Sequence, residues 1–486
     1  MIQPERVREL NTKPRNENGA YVLYWMQQAQ RTRYNHALET AIREANELGL
    51  PVLAVFGLTD SYPDANERHY AFMLEGLRDV REGLERHGIQ LVVLRHSPEK
   101  AAVAMARNAA LVVTDRGYLR IQKQWRAFVA ENVSCQMIQV ESDAVVPVET
   151  ASQKEEFAAR TLRPKIHRML ANYLVPLEAT VPEHSSLSLT LPTVPELADR
   201  LDVRNVDAVL ASMKIDRAVG RVGYYIGGET EAQRLLQEFV SRRLKGYAEK
   251  RNEPKLDHTS HMSAYLHFGQ ISPLDIALQV RDADTGKPTK KPANTTVTED
   301  ETADAVIDTD ADAYLEELIV RRELSFNFCH FNDVYDTYEC LPNWAKQTLA
   351  DKAADARPHL YTLEDLEAAH TNDRYWNAAQ AEMNLTGRMH NYMRMYWGKK
   401  ILEWSSTPEE GYRRTLYLNN KYFLCGRDAN AFANVAWIYG KFDRPWTRRP
   451  VFGTIRYMNA GGLQRKFDIE AYVRKIAALP GAPPLE

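Results

Sequence analysis

Short apolar, β-rich runs alternate with polar stretches of helical length in the first third of the chain. The runs lie at residues 21–25, 52–58, 91–95, 111–114 and 137–140. Strands that alternate with helical segments are typical of a parallel α/β sheet. The carboxyl ends of such strands form a crevice for small ligands, but no G-x-G-x-x-G or Walker sequence follows any of these runs. The pattern therefore disfavours a dinucleotide dehydrogenase and a P-loop nucleotide hydrolase.

The hydrophobic pattern changes after a stretch rich in Pro, Ser and Thr around residues 180–197. Such a stretch, without helical period, is typical of an exposed connection between domains. We therefore predict an α/β domain over residues 1–180, a linker over 181–208 and a mostly helical domain over 209–486. A polar segment at about 285–312, low in aromatics and acidic in its second half, is predicted to be a mobile loop.

Length and composition fit two compact domains, because 486 residues exceed one ordinary core. The formal net charge is −3, so net charge identifies no partner. The first residues lack the apolar core of a signal peptide, and no long apolar run could span a membrane. We expect a cytoplasmic protein in a bacterium or archaeon, and a nuclear one in a eukaryote. The four cysteines are scattered without a C-x-x-C pair, which disfavours a zinc site and a disulfide framework.

Aromatic residues recur at helical spacing in residues 389–404. Trp397 and Trp404 lie two turns apart on one face of a predicted helix, and Trp376 belongs to a second helical run. If the two helices pack together, the indoles form a line with centroids about 4.5 to 7 Å apart. Spacing alone does not separate an electron relay from an ordinary aromatic core.

A basic segment at residues 441–466 combines Lys and Arg with a single acid, Asp443. Trp446, Phe452 and Tyr457 are interleaved with the cations. Cations that contact phosphates and rings that stack on bases together suit a nucleic acid strand. A solvated basic face is the alternative interpretation.

Two further features are ambiguous by themselves. Glu317 lies among apolar positions of a predicted helix, so it is either a partly buried carboxyl with a raised pKa or the partner of Arg321 in a surface ion pair. Thr259, Ser260 and Ser263 precede a helical stretch. Their hydroxyls suit a phosphate at a helix N-terminus, although ordinary helix capping explains them equally well.

Taken together, long runs of the chain resemble the class II photolyases in family order. They are VLYWMQQAQR (22–31), KEEFAARTLRPKIHR (154–168), YLHFGQISP (265–273), EELIVRRELSFNFCHFN (316–332), YWNAAQAEMNLTGRMHNYMRMYWGKKILEW (375–404), LYLNNKYFLCGRD (416–428) and RPVFGTIRYMN (449–459). The resemblance implies a Rossmann-like antenna-type domain joined to an all-helical domain that holds FAD. It also implies light-driven repair of cyclobutane pyrimidine dimers in DNA, in which excited reduced FAD passes an electron to a flipped-out dimer. We expect a monomer that acts on damaged DNA, single or double stranded.

The resemblance further implies roles in electron transfer and ring splitting. Trp397 and Trp376 become the inner steps of a photoreduction relay, with Trp404 and Tyr361 near its outer end. Glu317 would meet the carbonyl edge of the dimer, where a protonated acid is more useful than a carboxylate.

Ligand contacts are implied in the same way. Asn419 would lie beside flavin N5. The other expected cofactor contacts are Tyr247, Ser260, Met262, Ser263, Arg394 and Asp428. The expected substrate contacts are Arg251, Met395 and Trp437 around the dimer, and Lys441, Arg444 and Arg456 on the phosphates of the damaged strand.

The chain departs from the family pattern at two positions. Ala264 stands where Pro is usual, and Cys425 stands where Asp is expected. That Asp would pair with Arg394, so Cys425 leaves a cation near the flavin without its usual partner unless Asp428 compensates. The change would alter the redox potential or protonation of the flavin.

Several alternatives stay open on the sequence. The main one is a cryptochrome-like blue-light sensor without repair activity. A DNA-binding protein that has lost flavin chemistry and an enzyme for 6-4 photoproducts are the others. A second, antenna chromophore in the N-terminal crevice would be a deazaflavin, a flavin mononucleotide or absent.

Overall fold

A seven-stranded sheet forms the core of the N-terminal domain in the computed structural model, which describes residues 2–284 and 308–485. The strand order is β1-β6-β5-β2-β3-β4-β7. The strands are β1 Val7–Glu9, β2 Tyr21–Trp25, β3 Val52–Gly57, β4 Gln90–Leu94, β5 Ala109–Asp115, β6 Gln136–Val140 and β7 Arg200–Leu201. Each of the five apolar runs forms one of the inner strands, which confirms the α/β prediction.

The five inner strands, β2 to β6, pair in parallel, and β1 and β7 close the edges in antiparallel register. Helices α1 and α2 cover one face, and α3 and α4 cover the other. The inner strands are Val- and Leu-rich because both faces are buried. β2 lies between β3 and β5, so the strand order reverses there. The carboxyl ends of β2 and β5 thus form the switch point where doubly wound sheets bind ligands.

Helices cover the sheet and make up nearly all of the second domain. In the N-terminal half they are α1 His36–Leu48, α2 Glu67–Arg86, α3 Pro98–Ala106, α4 Arg120–Asn132, α5 Val148–Ala151, α6 Ala159–Tyr173 and α7 Val206–Ser212. In the helical domain they are α8 Glu229–Glu238, α9 Tyr247–Lys250, α10 Ser263–His267, α11 Pro273–Asp282, α12 Asp310–Leu315, α13 Arg322–Phe331, α14 Asn343–Ala350, α15 Leu363–Glu367, α16 Arg374–Thr386, α17 Asn391–Glu403, α18 Pro408–Tyr422, α19 Ala429–Ile438, α20 Ala460–Lys466 and α21 Ile469–Ala477. Short 3₁₀ turns lie at Pro4–Arg6, Pro195–Asp199 and Tyr338–Cys340, and π-helical turns at Phe239–Arg243 and Glu316–Arg321.

Part of the predicted linker packs on the sheet domain. β7 extends the sheet beside β4, and α7, which begins at the end of the linker, packs on α2 with Val206 buried. The apolar residues of this segment are buried there because α2 and the free edge of β4 offer them a partner surface. The predicted mobile loop lies outside the described residues over 285–307. Its last residues instead begin α12, which Thr309 caps.

Buried polar contacts fix the two domains against each other. Arg68 of α2 donates hydrogen bonds to the carbonyls of Met383 and Tyr422. Glu323 of α13 accepts hydrogen bonds from the amides of Val145 and Val146, and burial raises its pKa to about 8. Such partners offset the cost of burying polar groups. In the part of the chain that the structure describes, no helix is both long and apolar enough to cross a membrane.

Candidate functional site

Two cavities share a wall that the helical domain forms. The outer cavity, of about 640 Å³, lies beside the basic segment, and the inner cavity, of about 280 Å³, lies behind it. Arg251, Glu317, Asn391 and Asn434 line both. Two ligands in these cavities would therefore lie on opposite sides of the same four side chains.

The inner cavity collects nearly all of the predicted cofactor residues. Its lining includes Tyr247, Ser260, Met262, Ser263, Arg394 and Asp428. The sequence prediction missed Arg388, Arg322, His261 and Tyr225, which line it as well. Arg388 lies 3.1 Å from Asp257 and donates hydrogen bonds to Tyr225 and His261. Arg322 and Arg388 lie within runs that carry the resemblance, but nothing in the sequence singles them out, because segments far apart in the chain bring these four residues together. Four arginines, with Arg251 on the shared wall among them, and several hydroxyls fit a large anionic ligand such as a dinucleotide.

Cys425 faces Arg394 in this cavity. Nη2 of Arg394 lies 3.3 Å from Sγ of Cys425, and the guanidinium stacks 3.8 Å above the ring of Phe423. Asp428 does not take over the pairing: it accepts a hydrogen bond from the amide of Ala431 and so caps α19. The cation thus faces a thiol and an aromatic ring, where the resemblance implied a carboxylate.

Asn419 does not line the inner cavity. It is buried in α18, and its amide donates a hydrogen bond to Oδ1 of Asn420 at 3.2 Å. Oδ1 of Asn420 also accepts a hydrogen bond from the amide of Arg427. The structure therefore does not bring Asn419 to the cavity where a flavin ring was expected, and its side-chain amide is paired with the neighbouring Asn420 instead.

The predicted aromatic relay is a chain of contacts. The ring of Tyr361 lies 5.0 Å from that of Trp404, and Trp404 lies 5.4 Å from Trp376. Nε1 of Trp376 donates to the carbonyl of Trp397 at 3.0 Å. Trp397 lies 6.4 Å from Phe423, the ring beneath the arginine of the inner cavity. The chain therefore runs from the half-buried Tyr361 to the wall of the inner cavity.

Glu317 pairs with Arg251 across the shared wall, at 2.6 Å. The predicted partner, Arg321, instead lies 3.5 Å from Glu316, which also binds Arg163 at 2.7 Å. The π-helical turn between α12 and α13 contains both carboxylates. Its wider winding changes the direction of successive side chains, so one carboxylate faces the cavities and the other faces α6.

The charge of Glu317 also differs from the prediction. Burial raises the pKa of this carboxyl, but Arg251 and Arg321 outweigh burial and hold the pKa below its usual value. The side chain is therefore ionised at neutral pH. The prediction of a protonated acid with a raised pKa is wrong for this arrangement, because it considered the apolar neighbours in sequence and no cations from elsewhere in the fold.

The outer cavity brings together five of the predicted substrate residues. Its lining includes Arg251, Met395, Trp437, Arg444 and Arg456. Lys441 is the exception: its Nζ lies 2.5 Å from Oε1 of Glu155 and donates to the carbonyl of Cys340 at 2.9 Å. The ammonium group of Lys441 is thus engaged within the protein, and its contact with a phosphate stays a prediction. The sequence prediction also missed Phe157 and Arg160, which line the outer cavity.

A third cavity, the interdomain crevice, lies at the switch point of the sheet and measures about 100 Å³. Tyr62, Trp125 and Phe268 contribute aromatic walls. Arg427, only 5% exposed, lies in the crevice, and its Nε and Nη2 have no hydrogen-bond partner within the described residues. Nε2 of Gln27 is likewise buried and unpaired there. Buried polar groups without partners are costly, so these atoms are available to a ligand that enters the crevice.

Comparison with known proteins agrees with this architecture. The family model for DNA photolyase matches residues 22–183. A curated relative from Methanothermobacter thermautotrophicus, named deoxyribodipyrimidine photo-lyase, is 48% identical over 480 residues, which are 99% of each chain. The solved archaeal photolyase of Sulfolobus tokodaii, crystallised with two FAD molecules, has a TM-score of 0.66 at 16% identity and covers 95% of each chain. A cryptochrome of Synechocystis has a TM-score of 0.66 at 17% identity, with 93% of this chain and 88% of that one covered.

The two solved structures define the class: an α/β domain and a helical domain in the arrangement shared by photolyases and cryptochromes. At such low identity they show the fold alone. The archaeal relative goes further, because nearly half of all positions are identical from end to end. The chain belongs to the DNA photolyase family.

Proposed function

We propose that the protein repairs cyclobutane pyrimidine dimers in DNA with light, as a deoxyribodipyrimidine photo-lyase of class II. The observation that carries the proposal is the wall between the two cavities. The outer cavity has room for an extruded pyrimidine pair and is rimmed by arginines, and the inner cavity is lined by arginines and hydroxyls that suit a dinucleotide. The runs that resemble class II photolyases and the name of the archaeal relative support the same activity.

The inner cavity would hold FAD. Arg388, Ser260 and Ser263 would bind its diphosphate, since guanidinium and hydroxyl groups are good phosphate partners. Tyr247 and Met262 would contact its apolar parts. When bound and reduced, FAD supplies the absorption of blue light and the electron that opens the cyclobutane ring. The protein contributes the position of the two reactants and the electrostatics around them.

The residues of the outer cavity would bind and orient the dimer. Trp437 and Met395 offer an apolar surface that excludes water from the reacting pair. At the shared wall, Arg251 donates a hydrogen bond to Glu317 and neutralises it. Arg444 and Arg456 would neutralise phosphates of the damaged strand. A damaged pair is already poorly stacked, so its extrusion costs less than that of normal bases.

The chain of buried tryptophans would carry electrons inward when the bound cofactor needs reduction. Trp376, Trp397 and Trp404 are each at most 1% exposed, so water does not interrupt the contacts between them. Tyr361 ends the chain toward solvent.

The interdomain crevice would hold a second chromophore of deazaflavin or flavin mononucleotide type. Such pigments combine a flat aromatic ring system with anionic groups. The aromatic walls suit the ring, and Arg427 suits an anionic group that would satisfy its free nitrogens. We expect the protein to work as a monomer on both single- and double-stranded damaged DNA.

The proposal is tested with protein purified in the dark. Its visible spectrum is recorded, the cofactor is reduced, and an irradiated thymine oligonucleotide is followed for loss of dimers under blue light and in darkness. We expect flavin absorbance and dimer loss that depends on light. Bound flavin that is photoreduced without dimer loss would identify a sensor, and protein without flavin would contradict the assignment of the inner cavity.

A further inference from the structure

An exposed aromatic side chain lies at the rim of the outer cavity on the side of the N-terminal domain. Phe157 is 52% exposed and lines the cavity together with Arg160. The guanidinium of Arg160 lies 5.8 Å from the centroid of the Phe157 ring. A single exposed apolar residue needs no explanation. An exposed ring beside a cation at the mouth of a cavity proposed to take nucleotides needs an explanation, because rings and cations together bind nucleic acid strands.

The helical domain holds the backbone just before Phe157. The amide of Glu156 donates to Oδ1 of Asn327 at 2.7 Å, and Nδ2 of Asn327 donates to the carbonyl of Lys154 at 2.9 Å. Asn327 is 1% exposed and belongs to α13, the helix that follows the π-helical turn. A single buried amide thus holds Lys154 and Glu156 of the other domain.

A second clamp acts on the side chain of Glu155. Lys441 lies 2.5 Å from its Oε1, and Nδ2 of Asn332 donates to its Oε2 at 3.0 Å. This contact explains why Lys441 faces inward: its charge fixes the segment that presents Phe157. The segment that presents the exposed ring is therefore held by two separate parts of the helical domain.

A ring that is fixed before binding contributes more affinity than a mobile one, since less conformational entropy is lost in the complex. We propose that Phe157 stacks on a nucleobase that flanks the extruded dimer, with Arg160 against a neighbouring phosphate. Extrusion of the dimer removes the stacking partner of that base, and the exposed ring replaces it. Stacking on an aromatic side chain tolerates any sequence, as damage recognition requires. This role rests on the proposed function.

The role is specific for duplex DNA. In a duplex, the complementary strand holds the gap open after extrusion, so a flanking base stays without a partner. In a single strand, the bases on either side can move and stack on one another. Phe157 should therefore matter much more for a dimer in a duplex than for the same dimer in a single strand.

The test uses the full-length protein with its cofactor, in the dark, and fluorescence anisotropy with three probes: a duplex with one dimer, the same strand alone, and an undamaged duplex. We expect F157A to weaken binding of the damaged duplex about tenfold and of the single strand less than about twofold. F157L, which keeps apolar bulk without the ring, should behave like F157A, and F157W should bind like the parent. F128A is the matched control, because Phe128 is 42% exposed on α4 and does not line the outer cavity.

Unchanged binding of the damaged duplex by F157A and F157L would overturn the inference, and so would equal losses for duplex and single strand. Failure of the proposed function looks different: the parent itself would then bind damaged and undamaged duplexes equally. Thermal unfolding and flavin content of each variant are compared with the parent. A half-exposed ring contributes little to the core, so both should stay the same.

Discussion

Glu317 illustrates how the partners of a side chain, and not its sequence neighbours, decide its charge. Four apolar residues around it in sequence favoured a neutral acid. In the fold it is 36% exposed at the cavity wall and lies 2.6 Å from Arg251. At an open wall an ion pair costs less than burial of either charge alone. The carboxylate of Glu317 holds the guanidinium of Arg251 at the shared wall, close to where the dimer would lie.

Replacement of Glu317 by Gln tests this arrangement. We expect E317Q to lower dimer repair per absorbed photon about tenfold or more, because the carboxylate that orients Arg251 beside the dimer is lost. The pKa of Glu317 in the folded protein lies below the usual value of a glutamate. The ion pair with Arg251 is therefore complete at any pH above the usual pKa, and it is lost only as the pH falls through the lowered pKa of the folded state. The parent's repair yield should therefore be flat between about pH 6 and pH 8.

Repair yields of parent and variant are measured with chemically reduced protein at several pH values. E339Q is the control, because Glu339 is an exposed carboxylate that pairs with Lys346. A yield that rises in the parent toward acid pH would mean that the neutral acid is the active form.

Cys425 and Lys441 mark the limit of prediction at the level of single residues. The sequence places Cys425 opposite Arg394 only through the resemblance, and the structure confirms that contact. The inward pairing of Lys441 with Glu155 had no signal, since the two residues lie in different domains and nothing in a basic run distinguishes its one inward member.

At the scale of helices, spacing predicts faces well when the helix is regular. Trp397 and Trp404 lie on one regular helix and its end, and both contact Trp376 of α16 as the pattern indicates. The π-helical turn behaves differently. An extra residue in one turn changes which side chains share a face, and no composition marks where this happens. The position of Glu316 and Glu317 was therefore beyond reach of the sequence, whereas the aromatic line was not.

Replacement of Trp376 by Phe tests the relay. Trp376 is the only indole that contacts both Trp397 and Trp404 among the described residues, so its loss interrupts the line. We expect W376F to lose most light-driven reduction of bound flavin, measured as bleaching of the oxidised absorbance under blue light with an external reductant. Repair by chemically reduced protein should stay near the parent level, because the relay serves reduction and not ring splitting.

The control for this variant is W25F, which removes an equally buried indole from β2 of the other domain. Photoreduction at the parent rate in W376F would show that electrons reach the inner cavity by another route. Equal loss in both variants would point to general damage to the fold.

At the scale of the whole molecule, the docking of the domains creates a site that neither contains alone. The interdomain crevice takes Gln27 and Trp125 from the sheet domain and Phe268 and Arg427 from the helical domain. The sequence predicts a crevice at the carboxyl ends of the strands, because the α/β pattern indicates a parallel sheet. It does not predict that an arginine of the other domain enters it. That contact depends on the interface, which buried groups such as Arg68 and Glu323 fix.

Arg427 exposes a conflict between stability and ligand binding in this crevice. Its backbone is left-handed, with φ of 69°, its guanidinium is buried, and the two unpaired nitrogens cost free energy. Methionine has a similar length and the same backbone preference, so R427M removes the charge without new strain.

We expect R427M to raise the free energy of unfolding by about 1–3 kcal/mol and to lose most affinity for flavin mononucleotide, the probe of the crevice. R465M, which removes an exposed charge elsewhere, should change neither. Chemical denaturation and a fluorescence titration measure the two effects. A variant that is less stable than the parent would assign Arg427 a structural role. A variant that binds the probe as tightly as the parent would place the second chromophore elsewhere. A gain in stability together with a loss of affinity would show that the arginine is kept for its ligand at the expense of the fold.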